Sequence, residues 1–225
     1  MQNRISRMKR RYLKLLSVII SVMPTNFLRV NLYRALRQYK IGKNAKIGFN
    51  VFVDVNSFSV GEGCVISRNN QFSGPIDIVA GRNLFVGKGN IFVCGWSVVE
   101  RWAADRDYAR TLVIGENCLI NQDHVFDVIG RIAIGDGTWL AGFRSQFLAH
   151  GASVTDRNIA IGAHSFVGSA VLFCPGSGIG DHCLVGMGSV VTRHLPENNA
   201  IVAGNAARIL RQRHPDDPHA WEKVW

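Results

Sequence analysis

The first 40 residues of this 225-residue chain contain no aspartate and no glutamate, against ten lysines and arginines. The other 185 residues balance, sixteen basic against sixteen acidic, so the net charge of +10 sits in the amino-terminal segment. A nucleic-acid-binding domain carries its basic excess on the folded body, and a neutral body excludes that class. Long apolar runs are missing too. The run from Leu15 to Met23, broken by Ser17 and Ser21, is far shorter than the ~20 residues a bilayer span needs. The five cysteines form no close-spaced pair, which argues against a disulfide framework or a cysteine metal knuckle. A reduced, cytoplasmic protein is the simpler expectation. No phosphate-binding loop and no nucleophile elbow occur.

What the sequence has in place of these is a repeat. Ile161, Val167, Phe173, Ile179, Val185 and Val191 recur at every sixth position, and Gly162, Gly168, Gly180 and Gly186 follow four of them. The phase returns upstream at Ile41, Ile47 and Val53, at Val60, Ile66 and Phe72, and at Ile114, Ile120 and Phe126. Neither a helix nor a half-buried strand has a period of six, so this is an internal repeat that must stack on copies of itself. A parallel β-helix accounts for it: short strands pair with the coils above and below at about 4.8 Å, bulky residues point inward, and glycine is expected to supply the corner conformations. Cys64, Cys118 and Cys183 stand four residues after Val60, Ile114 and Ile179, a slot for small inward side chains. The spacing divides the chain into a basic helical segment at 1–40, a β-helix at 41–204 and a tail at 205–225.

The end of the repeat, Val185-Gly-Met-Gly-Ser-Val-Val-Thr192 followed by Val202-Ala-Gly-Asn-Ala-Ala-Arg-Ile209, is similar to the closing signature of the hexapeptide-repeat acyltransferases. Thr138-Trp-Leu-Ala-Gly-Phe-Arg-Ser-Gln-Phe-Leu-Ala-His-Gly151 resembles the segment that carries the catalytic histidine in members acetylating sugars of bacterial surface polysaccharides. The resemblance implies an all-β solenoid, a left-handed β-helix with three hexapeptides per coil. It also implies acetyl-CoA as donor, no metal, a saccharide acceptor that could be lipid-linked, and a homotrimer with donor grooves between subunits. Gly168, Ser169, Gly186 and Ser189 would let a pantetheine arm approach the backbone, and Arg193 and Arg208 would meet phosphates.

His150 is the expected general base. It stands where the six-residue phase lapses, between Leu140 and Ile161, at the start of an excursion held by a rigid scaffold. Taking a proton from an attacking hydroxyl needs a group near neutral pKa, which histidine supplies. His124 is the second candidate, as an acceptor contact or a buried structural group, and Asp127 or Asp156 could orient a histidine ring. Asp127 and Trp102 join His124 as expected substrate-binding residues, and Trp96 and Asp105 are further candidates around an off-phase stretch at 88–111. His164, His182 and His194 occupy polar turn slots, the first two 18 apart and so able to stack. A zinc-dependent, carbonic-anhydrase-like β-helix lyase is the rival enzyme, but within the repeat its histidine pair five apart is absent, and His214 and His219 lie in the tail. A non-catalytic scaffold of a membrane-associated complex is the alternative from another class.

The basic segment reads as two helices broken at Pro24. Arg7, Arg10, Lys14, Ser17 and Ser21 share one helical face, leaving Leu13, Leu15, Leu16, Val18, Ile19, Ile20, Val22 and Met23 as an apolar surface. Leu28, Leu32, Ala35, Leu36 and Tyr39 form a second apolar stripe opposite Asn31, Arg34 and Gln38. An interfacial anchor at the inner-membrane surface and a cap on the β-helix are both open, and a chain beginning at Gln38 is expected to stay folded. No small-x-small site follows to mark a cleaved signal.

Overall fold

The computed structural model describes residues 2–98, 108–152 and 154–214, with side chains from residue 8 onward. Its body is a left-handed parallel β-helix. Each coil lays a short strand on each of three faces. Along the first face, Lys46–Ile47 pairs with Val65–Ile66, which pairs with Phe85–Val86 and then Leu119–Gln122. Phe166 lies beside Leu184, 18 residues on, so one turn of the coil takes three hexapeptides. Two strands, Phe52–Val60 and Gln71–Ala80, bend around a corner and pair in parallel along both arms.

The inward residue of every rung is buried, and on the second face that residue is usually phenylalanine. The rings of Phe72, Phe92, Phe126 and Phe147 stack with centroids 4.5, 4.5 and 4.4 Å apart and planes within 14°. Phe173 continues the stack at 5.2 Å. This separation is the rung spacing itself, so one strand repeat sets both the hydrogen bonds and the ring contacts. The stack runs down through Phe58 to Tyr39 and Tyr33, joining the β-helix to the segment before it.

The glycine after each bulky residue has a different cause from the one the repeat suggests. Gly42 does not have positive φ; a Cβ there would lie 2.4 Å from the backbone carbon of Gly61 on the next coil. Close approach of coils therefore excludes a side chain. The left-handed conformation falls two residues later, on Asn44, Asn83, Asn117, His164 and His182 among others, where asparagine tolerates it. The His164 and His182 rings stack at 5.1 Å.

The amino-terminal helices, α1 (Gln2–Ser21) and α2 (Asn26–Arg37), close one end of the β-helix. Thr25 caps α2 after the Pro24 break, its hydroxyl accepting from the Leu28 N–H at 3.3 Å. A first coil has no coil beneath it, and its N–H and C=O groups would be orphaned. Side chains of α2 and its exit take them. Asn26 Oδ1 accepts from Ile47 N–H at 2.7 Å and Arg29 Nε donates to Ile47 C=O at 2.8 Å. Arg34 donates to the Ile41 and Gly42 carbonyls. On the aromatic face, the Tyr33 hydroxyl donates to Val51 C=O at 2.8 Å and accepts from Val53 N–H at 3.2 Å. Tyr39 does the same for Val55.

This arrangement reverses the expected amphipathy. Ser17 and Ser21, assigned above to the polar face, are buried together with Ile20 and Arg29, whereas Leu15, Val18, Ile19, Val22, Leu28 and Leu36 are exposed. Small serines let α1 approach the first coil, and the coil edge needs polar partners more than apolar ones. A chain starting at Gln38, expected above to stay folded, would lack Asn26, Arg29, Tyr33 and Arg34, the side chains that pair this edge. At the other end, Ala207–Gln212 doubles back antiparallel on Ala200–Gly204. Tyr33→Phe is expected to leave Val51 C=O and Val53 N–H unpaired and to cost about 1–3 kcal/mol, read as a lower urea midpoint with unchanged slope.

Candidate active site

Two excursions leave the β-helix, after Val93 and after Leu148, and both depart from the corner that follows the aromatic face. The register brings their roots together, because Asp127 pairs with Val93 below and Leu148 above. Ala149 N–H donates to Asp127 C=O at 3.3 Å, and the next residue, His150, turns its ring back so that Nδ1 meets Asp127 Oδ2 in a short contact. His150 is largely exposed and Asp127 mostly covered, with side-chain exposures of 64% and 18%. A charged acceptor thus holds a solvent-facing imidazole by one nitrogen. Asp156 does not compete for it: its carboxylate accepts from Asn158 N–H at 2.9 Å.

Cys94, one residue beyond Val93, is buried beside this pair. Burial, with the negative charge of Asp127 as the smaller cause, pushes its thiol up to about 11, so it stays protonated and is no nucleophile.

His124 does not share the exposed site. It is fully buried, its Nδ1 accepts from Ser145 N–H at 3.0 Å, and Nε2 has no hydrogen-bond partner. Of its two expected roles this is the geometry of the buried structural one: the ring serves the corner between coils in the way Asn90 does one coil below, where Oδ1 accepts from His124 N–H. Burial holds the imidazole down to about 4. Trp102 and Asp105 lie outside the described residues.

The residues expected to hold the donor divide. Ser189 is buried; its hydroxyl donates to Gly186 C=O and accepts from Gly204 N–H, so its one donor is already used. Gly168 and Gly186 are set by coil contact, since a Cβ would lie 2.8 Å from Met187 Cγ and 3.0 Å from Ala203 Cβ. Ser169 holds the Phe143 N–H on the same corner. Arg193 is exposed. Arg208 borders a hollow of about 420 Å³ with Asn205 and Leu210, and a guanidinium beside open space suits phosphate. Among the described residues, no group of three His, Cys, Asp or Glu side chains is placed to hold a metal.

Sequence reasoning missed the surroundings of Trp96. Its ring carries the Arg10 guanidinium 4.8 Å above it, next to a buried Arg37–Asp54 pair at 2.9 Å. No spacing in the chain signals that α1 would meet the first three coils here.

Comparison with known proteins agrees with the repeat. The family described as hexapeptide repeat of succinyl-transferase matches residues 38–69 and 158–193. Galactoside O-acetyltransferase of Escherichia coli K12 is 27% identical over 158 residues, 70% of this chain and 68% of that one. Chloramphenicol acetyltransferase of Agrobacterium fabrum C58 is 29% identical over 148 residues, 60% of this chain and 70% of that one. Among solved structures, a hexapeptide-repeat acetyltransferase of Vibrio cholerae O1 complexed with acetyl-coenzyme A has 18% identity and a TM-score of 0.40, covering 91% of this chain and 87% of that one.

The depressed His124 imidazole links stability to pH. The unfolded chain takes up a proton near 6.5 and the folded chain only near 4, so the stabilisation is complete above 6.5 and is lost as pH falls between the two. The loss amounts to roughly 3 kcal/mol. Urea midpoints between pH 7 and pH 4 are expected to fall more steeply for the parent chain than for His124→Gln.

Proposed function

We propose that this hexapeptide-repeat protein is an acetyl-CoA-dependent O-acetyltransferase that esterifies a hydroxyl of a saccharide in bacterial surface polysaccharide synthesis. The observation that carries the reading is the Asp127–His150 pair at the root of both excursions. A carboxylate only accepts, so Nδ1 of His150 holds the ring proton and Nε2 keeps its lone pair toward solvent. An acceptor hydroxyl reaching Nε2 gives up its proton as its oxygen forms the ester bond. Asp127 steadies the imidazolium that results, and His150 releases the proton to the departing sulfur. Acetyl-CoA, when bound, supplies the acetyl group as an activated thioester. Its phosphates would meet Arg208 and Arg193, and its arm would follow the corner of Gly168, Ser169 and Gly186. The curated relatives named above are acetyltransferases, which supports the reaction class.

The same corner carries exposed Phe49, Phe143 and Met187, apolar groups that would be covered in a homotrimer. On α1 the exposed Leu15, Val18, Ile19 and Val22 stand on the side turned away from the first coil, with Lys9 and Arg11 exposed along the same helix. No helix among the described residues is long and apolar enough to cross a membrane. This surface fits an anionic bilayer interface, apolar side chains inserting while basic ones meet headgroups, and would place the enzyme at the inner membrane.

His150→Ala is expected to leave folding intact and lower acetyl transfer by about 10²- to 10⁴-fold. Asp127→Asn should cost less, because its amide oxygen can still accept from Nδ1. Near-normal turnover by His150→Ala would refute the assignment. The full chain is expected to sediment with phosphatidylglycerol vesicles and to be released by high salt, and Ile19→Asp should abolish sedimentation; binding to neutral vesicles alone would contradict the anchor.

A further inference from the structure

Between the two excursions one coil takes the same corner without leaving the β-helix. Asp127 runs through Val128, Ile129 and Gly130 straight into the strand Arg131–Ile134, and Val128 and Ile129 are buried. This strip is the floor over which a hydroxyl would approach His150. At its start, Asp127 stands between the outgoing ends of both excursions, Val93 below and Leu148 above. At its end it stands between their returning ends: Thr111 pairs with Arg131 from below, and Ile159 pairs with Ile132 from above.

The returning ends also touch each other. The Arg157 guanidinium lies over the Tyr108 ring, its Cζ 5.1 Å from the centroid, although the strands that follow them are two rungs, about 10 Å, apart. Gly130 makes that reach possible. A Cβ there would lie 2.1 Å from the Arg157 carbonyl oxygen and 2.8 Å from its Cβ, so Arg157 settles directly on the middle rung and its side chain reaches the rung below. Tyr108 is buried and Arg157 half-buried; partial desolvation strengthens a cation over an aromatic face. Each return is tied to the β-helix beside this contact. Asn158 Oδ1 accepts from Arg131 N–H at 3.1 Å, and its C=O accepts from Gly176 N–H at 2.9 Å. Arg110 C=O accepts from Asp77 N–H at 2.9 Å, and its Nε donates to Pro75 C=O at 3.2 Å.

We propose that Arg157 is a positioning residue for the transfer: lying on Tyr108, it clasps the two excursions at the end of the strip opposite the Asp127–His150 pair and fixes their spacing for the acceptor. The proposal rests on the acetyltransferase reading and deepens it. A loop held at its exit by Asp127 and at its return by Arg157 has little freedom left to lose when an acceptor binds, whereas a loop with a free return must be ordered each time. The groups assigned to the donor arm, Gly168, Ser169 and Gly186, follow strands of the first face on another corner, so the clasp acts on the acceptor and not on acetyl-CoA.

Hydrogen exchange on the full chain, read amide by amide, tests the clasp without a substrate. Tyr108→Leu is expected to speed exchange at Arg131 and Gly176, whose N–H groups bond to Asn158 in the other return, by about 5- to 30-fold. Arg157→Ala is expected to do the same at Asp77. Gly87, bonded to Ile120 C=O on the first face, keeps its rate in both and reports an intact β-helix. Tyr108→Phe, which keeps the ring and removes the hydroxyl, is expected to exchange as the parent does, and Arg157→Lys, which keeps a cation, to fall between the parent and Arg157→Ala. Unchanged rates at Arg131, Gly176 and Asp77, or a Tyr108→Phe chain as fast as Tyr108→Leu, overturn the clasp. Should Tyr108→Leu fail to fold, the Arg157→Ala rate at Asp77 decides it. With acetyl-CoA and methyl galactoside as substrates, Arg157→Ala is expected to lower kcat/KM for the galactoside about 5- to 30-fold and to leave KM for acetyl-CoA unchanged, with part of the loss restored by Arg157→Lys. Tyr108→Leu/Arg157→Ala is expected to lose no more than the worse single variant; losses that multiply overturn positioning through Tyr108. Failure of the parent chain to bind acetyl-CoA or to acetylate the galactoside counts against the acetyltransferase reading and its acceptor, and the exchange rates still decide the clasp.

Discussion

The spacing between coils governs this molecule. A strand repeat of about 4.8 Å places Phe92, Phe126 and Phe147 in face-to-face contact, and it brings Gly42 so close to Gly61 that no Cβ fits between them. The same repeat stacks Val93, Asp127 and Leu148 on one column. Function follows from that column. Two loops that interrupt the repeat leave from rungs on either side of Asp127, so residues far apart in sequence arrive at a fixed separation without a dedicated pocket having to fold around them.

A stack of parallel coils has an obligatory weakness at its ends, where a whole rung of backbone is unpaired. Here the solution at the amino-terminal end is chemical rather than apolar. Arg29, Arg34, Tyr33 and Tyr39 satisfy the first rung, and α1 follows them in with its serine face. The consequence is that α1 buries Ile20 beside its serines and turns Leu15, Val18 and Ile19 outward. One structural demand, the closure of a coil edge, thus sets up the surface proposed to meet the membrane.

The β-helix was legible in the sequence because a period of six has a single structural reading, and each inward residue from Ile41 to Val202 is buried as that period requires. His150 was singled out because it stands where the period breaks, and in the structure Asp127, not Asp156, lies against its ring. The helices were misread because polar side chains were assigned to solvent, a rule that fails beside unpaired backbone, where serine, tyrosine and arginine are the residues that fit. His124 and Ser189 were overvalued for a related reason: a polar residue in a turn slot of a β-helix can face the coil interior and serve the neighbouring rung's amide. Arg10 above Trp96 had no sequence signal, since the contact arises only once α1 docks.

The central claim is transfer of an acetyl group to a saccharide hydroxyl by a base at His150. Its most direct test is incubation of the full chain with acetyl-CoA labelled in the acetyl carbon and a panel of neutral and phosphorylated saccharides, followed by separation of products from CoA. The account predicts label in a saccharide as an alkali-labile ester, with an equal amount of free CoA released. Absence of labelled product across the panel, together with no binding of acetyl-CoA, would contradict it.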